Sequence, residues 1–510
     1  MEHEIQLALR KGRPELYPYQ QTAISSIFQQ MQQSAADRRL LYQLPTGGGK
    51  TMIFSEITRR YLAANQKKVM VLTHRVELCT QTSATLKKQG IKNKIINSTV
   101  KTIATNDGNA CYVAMVETLK NRIETGDIDI SGVGLVIIDE AHHNSFQKLL
   151  AKFEGASIIG VTATPLSSDY TEPLNRHYQQ LIIGEPIGTL INEGFLAKPS
   201  NWRYDVELNS LQTGTHGDFT VSTSDELYSS PAMLDLLKHA YEAHAKGKKT
   251  LIFNNGIFTS KNVCQMFNDA GYPARHLDNQ TPSAERAEIL KWFKKTKGAI
   301  LTSVSILTTG FDEPTIQAVI LNRATTSLTL YHQMIGRGSR RLPQKKTFNI
   351  IDLGNNTERF GEWNAPVNWQ DIFDHPEAYQ AMLSSEIAST AHLLPAGIRT
   401  KFPNSLEIAF DIQEAHRLAL ENNRKPKTVI RESLRQHVIM CVENAETITE
   451  ALDLSAELDK EISWRIKQYA KCLGHVTANY KEWLIQDYKS KLTVLVTKMM
   501  QRKELRRIAS

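Results

Sequence analysis

Short apolar runs alternate with amphipathic stretches along the first third of the chain. These runs consist almost entirely of apolar residues and lie at residues 40–43, 68–73, 110–116, 134–138 and 157–161. Strands of this kind are typical of a parallel sheet that helices cover on both faces, and helical periodicity separates the runs, as in residues 51–64. The pattern therefore predicts an α/β lobe over residues 1–190.

A second series of the same kind follows a region with a weaker pattern. Residues 191–245 are interrupted by Gly and Pro, and residues 209–231 are polar, which predicts a connector with an exposed loop. Apolar runs then return and predict a second α/β lobe over residues 246–377. Its strand candidates lie at residues 249–253, 275–277, 299–302, 318–321 and 348–352.

The strand pattern disappears in the last quarter of the chain. Apolar residues recur there at three- and four-residue steps, for example at Tyr488 and Leu492, which predicts a helical accessory domain over residues 378–510. Trp464 and Trp483 are interpreted as core residues of this domain. The predicted fold class is therefore α/β, with two parallel-sheet lobes in tandem followed by helices.

The composition of the 510 residues is that of an ordinary globular protein, with 41% hydrophobic and 22% charged residues. The net charge of +8 fits a polyanionic partner but is weak support by itself. The five cysteines form no CxxC pair, so we expect no zinc site and a reduced compartment. No apolar run approaches the roughly 20 residues that span a bilayer. We therefore expect a cytoplasmic protein without a membrane partner.

A glycine-rich string carries the first candidate chemistry. Residues 44–51 read Leu-Pro-Thr-Gly-Gly-Gly-Lys-Thr between a predicted strand and a predicted helix. Glycines let backbone N–H groups converge on a phosphate, Lys50 would reach the β- and γ-phosphates, and Thr51 would bind Mg²⁺. Leu44 stands where the strict pattern has Gly, so the match is to a variant, and the alternative is a structural glycine turn. The candidate ATP-binding residues here are Thr46, Gly47, Gly48, Gly49, Lys50 and Thr51.

A pair of acids carries the second candidate chemistry. Residues 136–142 read Val-Ile-Ile-Asp-Glu-Ala-His and form an apolar strand that ends in two carboxylates. The carboxyl ends of parallel strands form the edge of a sheet where ligands bind. Asp139 would hold Mg²⁺ and Glu140 would polarise the attacking water. The alternative is a helix cap, but the position downstream of a glycine loop favours catalysis.

On the basis of these two motifs, the chain resembles helicase superfamily 2 with a DEAH-type box. The resemblance covers about residues 13–356, and its specificity comes from many pieces occurring in family order. The further pieces lie at residues 17–21, 71–78, 116–119, 162–165, 250–255, 301–304, 309–314 and 333–340. It implies two RecA-like lobes that hold ATP and Mg²⁺ between them and act only when the cleft closes.

The resemblance also implies contacts to the base and ribose of ATP. Gln20 would hydrogen-bond the adenine edge and Tyr17 would pack on the base. Asp312 would reach the ribose or help to seal the cleft, and Gly310 would approach the nucleotide from the same loop.

The resemblance also implies contacts to the phosphate groups of ATP. Arg337 and Arg340 would act as arginine fingers on the developing γ-phosphate charge, and Gln333 would sense the γ-phosphate. A further set would couple the ATP site to the nucleic-acid site: His142, Thr162 and Thr164.

Contacts to a nucleic-acid backbone are implied on both lobes. The candidates are His74, Arg75, Thr118, Asn255, Arg286 and Thr302. Residues 318–327 and 351–356 look like the XPB-like DNA helicase group, whose members act on double-stranded or branched DNA. This favours DNA over RNA by analogy.

Three functions stay open at this point. The first is an ATP-driven DNA helicase or translocase that moves along one strand, the second is an RNA helicase of the same superfamily, and the third is an ATP-switched nucleic-acid clamp or subunit of a larger complex. The presence of Glu140, Arg337 and Arg340 favours an enzyme. We expect association with DNA in the nucleoid, and residues 378–510 offer a possible surface for a protein partner.

Overall fold

Two parallel β-sheets and a bundle of helices follow one another along the chain. The structure is a computed structural model that describes residues 15–33, 39–97, 108–143, 146–169, 171–208, 210–214, 217–308, 310–382, 401–405, 410–421, 424–474 and 476–509. The predicted fold class, two α/β lobes in tandem followed by helices, is confirmed.

The first sheet has seven parallel strands. They are β1 (Arg39–Gln43), β2 (Lys68–Thr73), β3 (Asn93–Ile96), β4 (Cys111–Met115), β5 (Val133–Asp139), β6 (Ser157–Thr162) and β7 (Gln180–Ile183). Their order in the sheet is β3-β4-β2-β5-β6-β1-β7. The helices of this part are α1 (Pro18–Gln33), α2 (Lys50–Ala64), α3 (Val76–Lys88), α4 (Val116–Glu124), α5 (Gln147–Leu150) and α6 (Ile187–Asn192).

Burial explains which of these strands the sequence predicted. All seven residues of β5 are buried, because strands lie on both sides of it and helices cover both faces. The two strands that the sequence did not predict, β3 and β7, are short edge strands with partly buried residues. An edge strand has one neighbour and needs no continuous apolar run, so its pattern is weak.

The second sheet has six parallel strands. They are β8 (Lys198–Arg203), β9 (Thr250–Asn254), β10 (Ala274–Leu277), β11 (Ile300–Ser303), β12 (Ala318–Asn322) and β13 (Thr347–Asp352), in the order β10-β11-β9-β12-β13-β8. The helices of this part are α7 (Val221–Tyr228), α8 (Pro231–His244), α9 (Ile257–Asp269), α10 (Ser283–Lys295), α11 (Leu328–Gly336), α12 (Asn356–Phe360) and α13 (Trp369–Asp374).

The region predicted to be a connector belongs largely to the second lobe. Within residues 191–245, β8 pairs with β13 as the edge strand of the second sheet. The predicted exposed loop contains α7, in which Val221 and Tyr228 are buried. The prediction of a loop was wrong because polar residues on the outer face of a short amphipathic helix masked its few buried positions.

The helical region forms a bundle with its own hydrophobic core. Its helices are α14 (Ile412–Glu421), α15 (Lys427–Glu443), α16 (Ile448–Glu457), α17 (Asp459–Leu473) and α18 (Ala478–Ala509). A capping box between Thr447 and Glu450 fixes the start of α16. The core includes Val429, Ile462 and Val496, all fully buried.

The tryptophans divide between core and surface. Trp363 is buried against Phe348 of β13, and Trp369 packs on His332, so both belong to the second lobe. Trp483 is 56% exposed on α18, which corrects its interpretation as a core residue. Within the described residues, no helix is both long and apolar enough to cross a membrane.

Candidate functional site

The glycine loop joins β1 to α2 at the carboxyl edge of the first sheet. Gly47 and Gly49 have φ angles of 92° and 86°, which residues with a side chain rarely adopt. A Cβ on Gly49 would also lie 2.5 Å from the amide nitrogen of Gln20. The turn therefore requires glycine, and it leads into the N-terminus of α2, where helices bind anions.

Lys50 is the first residue of α2 and is buried. Its ammonium group donates a hydrogen bond to the Leu44 carbonyl over 3.2 Å. Burial lowers the pKa of Lys50, and the nearby carboxylates of Glu140 and Asp139 oppose that shift. The ammonium group is thus placed between the loop and the two acids, where it can bind a phosphate group.

Asp139 and Glu140 are buried at the end of β5. Burial raises the pKa of Asp139 to about 7, and the neighbouring Glu140 contributes to the increase. Glu140 has a left-handed backbone with φ of 53°, and its Oε2 has no hydrogen-bond partner among the described residues. Backbone strain and unpaired buried atoms concentrate at functional sites, so this pair is the candidate catalytic centre.

The donors beside Asp139 fit Mg²⁺. This ion prefers oxygen ligands and usually keeps water molecules and substrate phosphates in its shell. Asp139 offers a carboxylate and Thr51 a hydroxyl group, and a dication there would relieve the repulsion between the two acids. No group of three or more His, Cys, Asp or Glu side chains in the described part of the chain is arranged to hold a metal ion.

Aromatic rings and an amide lie beside the glycine loop, on the side predicted to hold adenine. Tyr17 is 50% exposed and packs on Phe195, with 4.5 Å between the ring centroids. Gln20 accepts a hydrogen bond from the Tyr17 N–H over 3.0 Å and donates to the Gly48 carbonyl over 3.3 Å. The Tyr19 hydroxyl donates to the same carbonyl over 2.7 Å. Gln20 therefore ties the base-facing segment to the loop, and both ends of its amide are engaged.

Two of these residues were not predicted from the sequence. Tyr19 lies inside the string at residues 17–21, so its neighbour Gln20 was a usable signal. Phe195 comes just before β8, in the region predicted to be a connector. No local pattern relates Phe195 to Tyr17, because the lobe packing alone brings them together.

Arg340 crosses the seam between the lobes and reaches the glycine loop. Its Nη1 donates to the Gly47 carbonyl over 3.2 Å, and its Nε donates to Asp312 over 3.1 Å. A Cβ on Gly336 would lie 2.5 Å from the Cβ of Thr46, so glycine at this position allows the close approach. The second lobe thus presents one arginine directly to the glycine loop.

A buried lysine holds the backbone around Arg340. Lys345 donates hydrogen bonds to the carbonyls of Arg340 and Gly338, both over 2.7 Å, and to the Pro314 carbonyl over 3.0 Å. Three acceptors match the three donors of an ammonium group. The sequence did not mark Lys345, because a single lysine after the arginine string looks like one more surface charge.

Arg337 lies on the same turn but is held by its own lobe. Its Nη1 and Nη2 donate to the carbonyls of Phe311 and Thr308, each over 2.6 Å. Burial lowers the pKa of Arg337 to about 10, and Glu140 opposes that shift from across the seam. The two predicted arginine fingers therefore differ in this structure: Arg340 contacts the glycine loop, and Arg337 holds the carbonyls of Thr308 and Phe311 in its own lobe.

Gln333, predicted to sense the γ-phosphate, contacts His142 in this structure. Its Nε2 donates to His142 Nε2 over 3.2 Å, so the Nδ1–H of His142 donates to Thr162 Oγ1 over 3.0 Å. Burial lowers the pKa of His142 to about 3, which keeps the ring neutral. Gln333 and His142 thus form a direct hydrogen bond between the lobes.

A chain of hydroxyl groups adds a second bond between the lobes. Thr162 Oγ1 donates to the Thr164 carbonyl over 2.9 Å, and Thr164 Oγ1 donates to Thr329 Oγ1 over 2.9 Å. The structure therefore brings together the predicted coupling residues and adds Thr329. Thr329 lies at the start of α11, outside every string that the sequence singled out.

Residues predicted to bind a nucleic-acid backbone also bind across the seam. Arg75 donates to the Ile306 carbonyl over 3.2 Å, and Arg286 forms an ion pair of 2.9 Å with Glu77. Gly310 has φ of 74° and packs against α3 of the first lobe, which places it at the contact between the lobes. Both arginines are therefore engaged in lobe closure in this structure.

Thr302 is a correction to the predicted nucleic-acid set, and Asn255 is bonded to protein groups in this structure. The amide nitrogen of the buried Asn255 donates to Ser224 Oγ over 2.7 Å and fixes the start of α7. Thr302 is fully buried in β11, and its hydroxyl donates to the Ser260 carbonyl over 3.0 Å. Thr302 is thus enclosed within the second lobe, whereas Asn255 also lines an open cleft at the edge of the second sheet.

The other two candidates lie on the first lobe. His74 packs beside His143, with 4.0 Å between the ring centroids. Both of its ring nitrogens are buried and have no hydrogen-bond partner among the residues that the structure describes, and burial lowers its pKa well below the usual range. His74 is therefore neutral. Thr118 is half-buried in the first turn of α4.

Two family models match the chain. One, described as "Type III restriction enzyme, res subunit", matches residues 13–167, and the other, "Helicase conserved C-terminal domain", matches residues 232–341. The "Putative ATP-dependent helicase IRC3" of Saccharomyces cerevisiae is 31% identical over 67% of this chain and 51% of the yeast protein. The chain thus spans about half the length of that relative.

Solved structures share the fold. A fragment of a putative HsdR subunit of a type I restriction enzyme from Vibrio vulnificus YJ016 is similar with a TM-score of 0.55 and 24% identity, over 68% of this chain and 67% of that one. The ATP-dependent type ISP restriction-modification enzyme LlaBIII bound to DNA is similar with a TM-score of 0.51 and 15% identity, over 96% of this chain and 41% of that one. The second similarity extends into the helical bundle.

Proposed function

The chain belongs to the superfamily 2 helicases, and on that premise we propose that it is an ATP-driven DNA translocase or helicase of the DEAH-box, XPB-like group. Its substrate is double-stranded or branched DNA, and ATP hydrolysis drives movement along one strand. One observation carries this proposal: Arg340 Nη1 binds the Gly47 carbonyl, so the second lobe delivers positive charge to the phosphate-binding loop of the first.

The residues of the hydrolytic site come from both lobes. On the first lobe, the glycine loop and Lys50 bind the phosphates, and Thr51 and Asp139 hold Mg²⁺, which neutralises phosphate charge when bound. Glu140 orients the attacking water and accepts its proton. On the second lobe, Arg340 stabilises the charge that develops on the γ-phosphate. Hydrolysis therefore requires the closed seam.

Reversible closure is supported by several of the bonds that cross the seam, beside the arginine contacts described above. The pairs Gln333–His142 and Thr164–Thr329 are single hydrogen bonds of 3.2 Å and 2.9 Å. Each such bond contributes only about 1 kcal/mol. Loss of the γ-phosphate can therefore let the lobes part, and rebinding of ATP can close them again. Cycles of this kind would move the lobes along a backbone.

Several features support DNA as the partner. Arg75 and Arg286 carry positive charge at the seam, and the whole chain has a net charge of +8. Contacts to phosphates bind without reading sequence, as a motor requires. Restriction-enzyme subunits recur among the similar proteins, and the LlaBIII structure contains DNA. These similarities favour DNA over RNA.

The test measures ATP turnover without nucleic acid and with duplex DNA, forked DNA or RNA, each at low and moderate salt. We expect stimulation by DNA that declines as salt rises. Displacement of a third strand from a triplex then reports translocation, and opening of the fork reports strand separation. Lys50→Ala is the inactive control. Stimulation by RNA alone would make the protein an RNA helicase, and no stimulation by any nucleic acid would favour an ATP-switched clamp or subunit.

A further inference from the structure

A cleft of about 850 Å³ lies between the second lobe and the helical bundle. On the lobe side it is lined by the loops that follow β9, β10 and β11, at the edge of a parallel sheet where ligands bind. On the bundle side it is lined by α14 and α17. Among the described residues, none of those placed around the nucleotide pocket lines this cleft.

Aromatic rings and side-chain amides line both walls. Phe258, at the start of α9, is 61% exposed, and the half-buried Trp464 of α17 lines the bundle wall. Asn279 and Gln280 supply amides from the lobe, and Gln468 supplies one from the bundle. Aromatic faces stack on nucleobases, and amides match the donors and acceptors of base edges.

Three of the four carboxylates that line the walls are paired with protein groups, and the fourth, Glu226, is exposed. Glu414 pairs with Arg417, Glu461 pairs with Arg465, and Asp225 accepts hydrogen bonds at the N-terminus of α9. A neutral heterocycle therefore fits the interior better than a phosphate group does. The exposed Lys261 and Lys471 also line the cleft and can meet phosphates on either side of a bound base.

His416 adds a buried polar atom that lacks a partner. Its side chain lines the cleft, and its Nε2 is buried without a hydrogen-bond partner in the described ranges of the chain. Burial lowers the pKa of His416, so the ring is neutral. Unpaired buried polar atoms are uncommon, and a ligand that displaces the neighbouring side chains would give this one a partner.

The cleft also lies next to the nucleic-acid side of the first lobe. Arg417 lines the cleft, and its ion-pair partner Glu421 is near Arg75. Burial lowers the pKa of Arg75, and the Glu421 carboxylate opposes that shift. A nucleic-acid strand that contacts Arg75 would therefore lie close to the cleft.

We propose that this cleft receives an unstacked nucleobase of the strand on which the motor moves. The two lobes would then hold the backbone. Phe258 of the second lobe and Trp464 of the bundle would hold a base between them. The inference rests on the proposed function, since nucleic acid must first be the substrate.

The experiment places 5-iododeoxyuridine at successive positions of a forked DNA strand bound to the full chain with a non-hydrolysable ATP analogue. Light-induced crosslinks are then mapped to residues. We expect one position, or two adjacent ones, to crosslink to Phe258 or Trp464. Phe258→Ala and Trp464→Ala should weaken strand binding about ten-fold. Phe258 is 61% exposed, so its replacement should leave folding intact.

Trp483→Ala is the matched control, because Trp483 is exposed on α18 and does not line the cleft. Its crosslinks and affinity should equal those of the unchanged protein. Crosslinks that map only outside the cleft, unchanged binding by Phe258→Ala, or an equal loss in Trp483→Ala would overturn the inference while DNA-stimulated turnover remained. A protein that no nucleic acid stimulates would overturn the proposed function and this inference together.

Discussion

Replacement of Arg340 by Ala should reduce ATP turnover far more than it reduces stability. The Arg340 side chain is 39% exposed and its partner Asp312 is 56% exposed. An exposed ion pair of this kind contributes only about 0–1 kcal/mol to folding. In the ATP-bound state, however, one preorganised donor at the phosphates contributes about 3–4 kcal/mol to the transition state, which corresponds to roughly 10²–10³ in kcat.

The assay compares steady-state hydrolysis at saturating DNA with thermal unfolding and with binding of a non-hydrolysable ATP analogue. We expect kcat of Arg340→Ala to fall by about 10²–10³, with Tm and analogue affinity close to those of the unchanged protein. Arg340→Lys should recover part of the loss, because lysine keeps the charge but not the planar fork.

Arg341→Ala is the control for this prediction. Arg341 is the next residue in the chain, and its guanidinium donates to the Gly194 carbonyl and not to the glycine loop. Its replacement should leave kcat nearly unchanged. The reasoning would be refuted if Arg340→Ala kept kcat within about ten-fold, or if Arg341→Ala lost as much activity as Arg340→Ala.

Three further predictions concern the acids and the buried lysine. Glu140→Gln should bind ATP and DNA but hydrolyse slowly, and normal turnover would remove Glu140 from its role as the base. Lys345→Met should lower the free energy of unfolding by about 2–3 kcal/mol in urea titrations, because three buried carbonyls lose their donor; an unchanged midpoint would contradict this. Because burial raises the pKa of Asp139 to about 7, the contribution of Asp139 to the stability of the ligand-free protein should be lost as the pH rises from about 4 through 7. The buried His74 and His142 have lowered pKa values and act in the opposite sense, so this contribution is measured as the difference between the unchanged protein and Asp139→Asn. The melting temperature of Asp139→Asn should lack that component, and identical pH profiles of the two proteins would show that Asp139 does not titrate in this range.

Much of the fold could be predicted because its signals are local. The central strands β2, β5 and β12 are continuous apolar runs, and burial on both faces requires such runs. The edge strands β3, β7 and β8 escaped prediction because one neighbour and partial exposure impose little on their composition. Helix α7 was also not predicted, because most of its residues are polar and only a few of them are buried.

The candidate site shows the same division between local and distant information. Glycines 47–49, Lys50 and Thr51 are adjacent in the chain, and glycine is the residue that adopts the left-handed conformation of this turn most readily. Phe195, Thr329 and Lys345 carry no comparable pattern. Each acquires its place only through packing against residues that are distant in sequence.

The sequence by itself determined the two sheets, the phosphate-binding turn and the acids at the end of β5, because backbone conformation and burial constrain neighbouring residues directly. Only the tertiary structure decided that Arg340 reaches the glycine loop while Arg337 supports its own lobe, and that Thr302 is enclosed within the second lobe. Side chains that share one string can point to different partners. Their directions depend on how the two lobes pack against each other, and local periodicity does not encode that geometry.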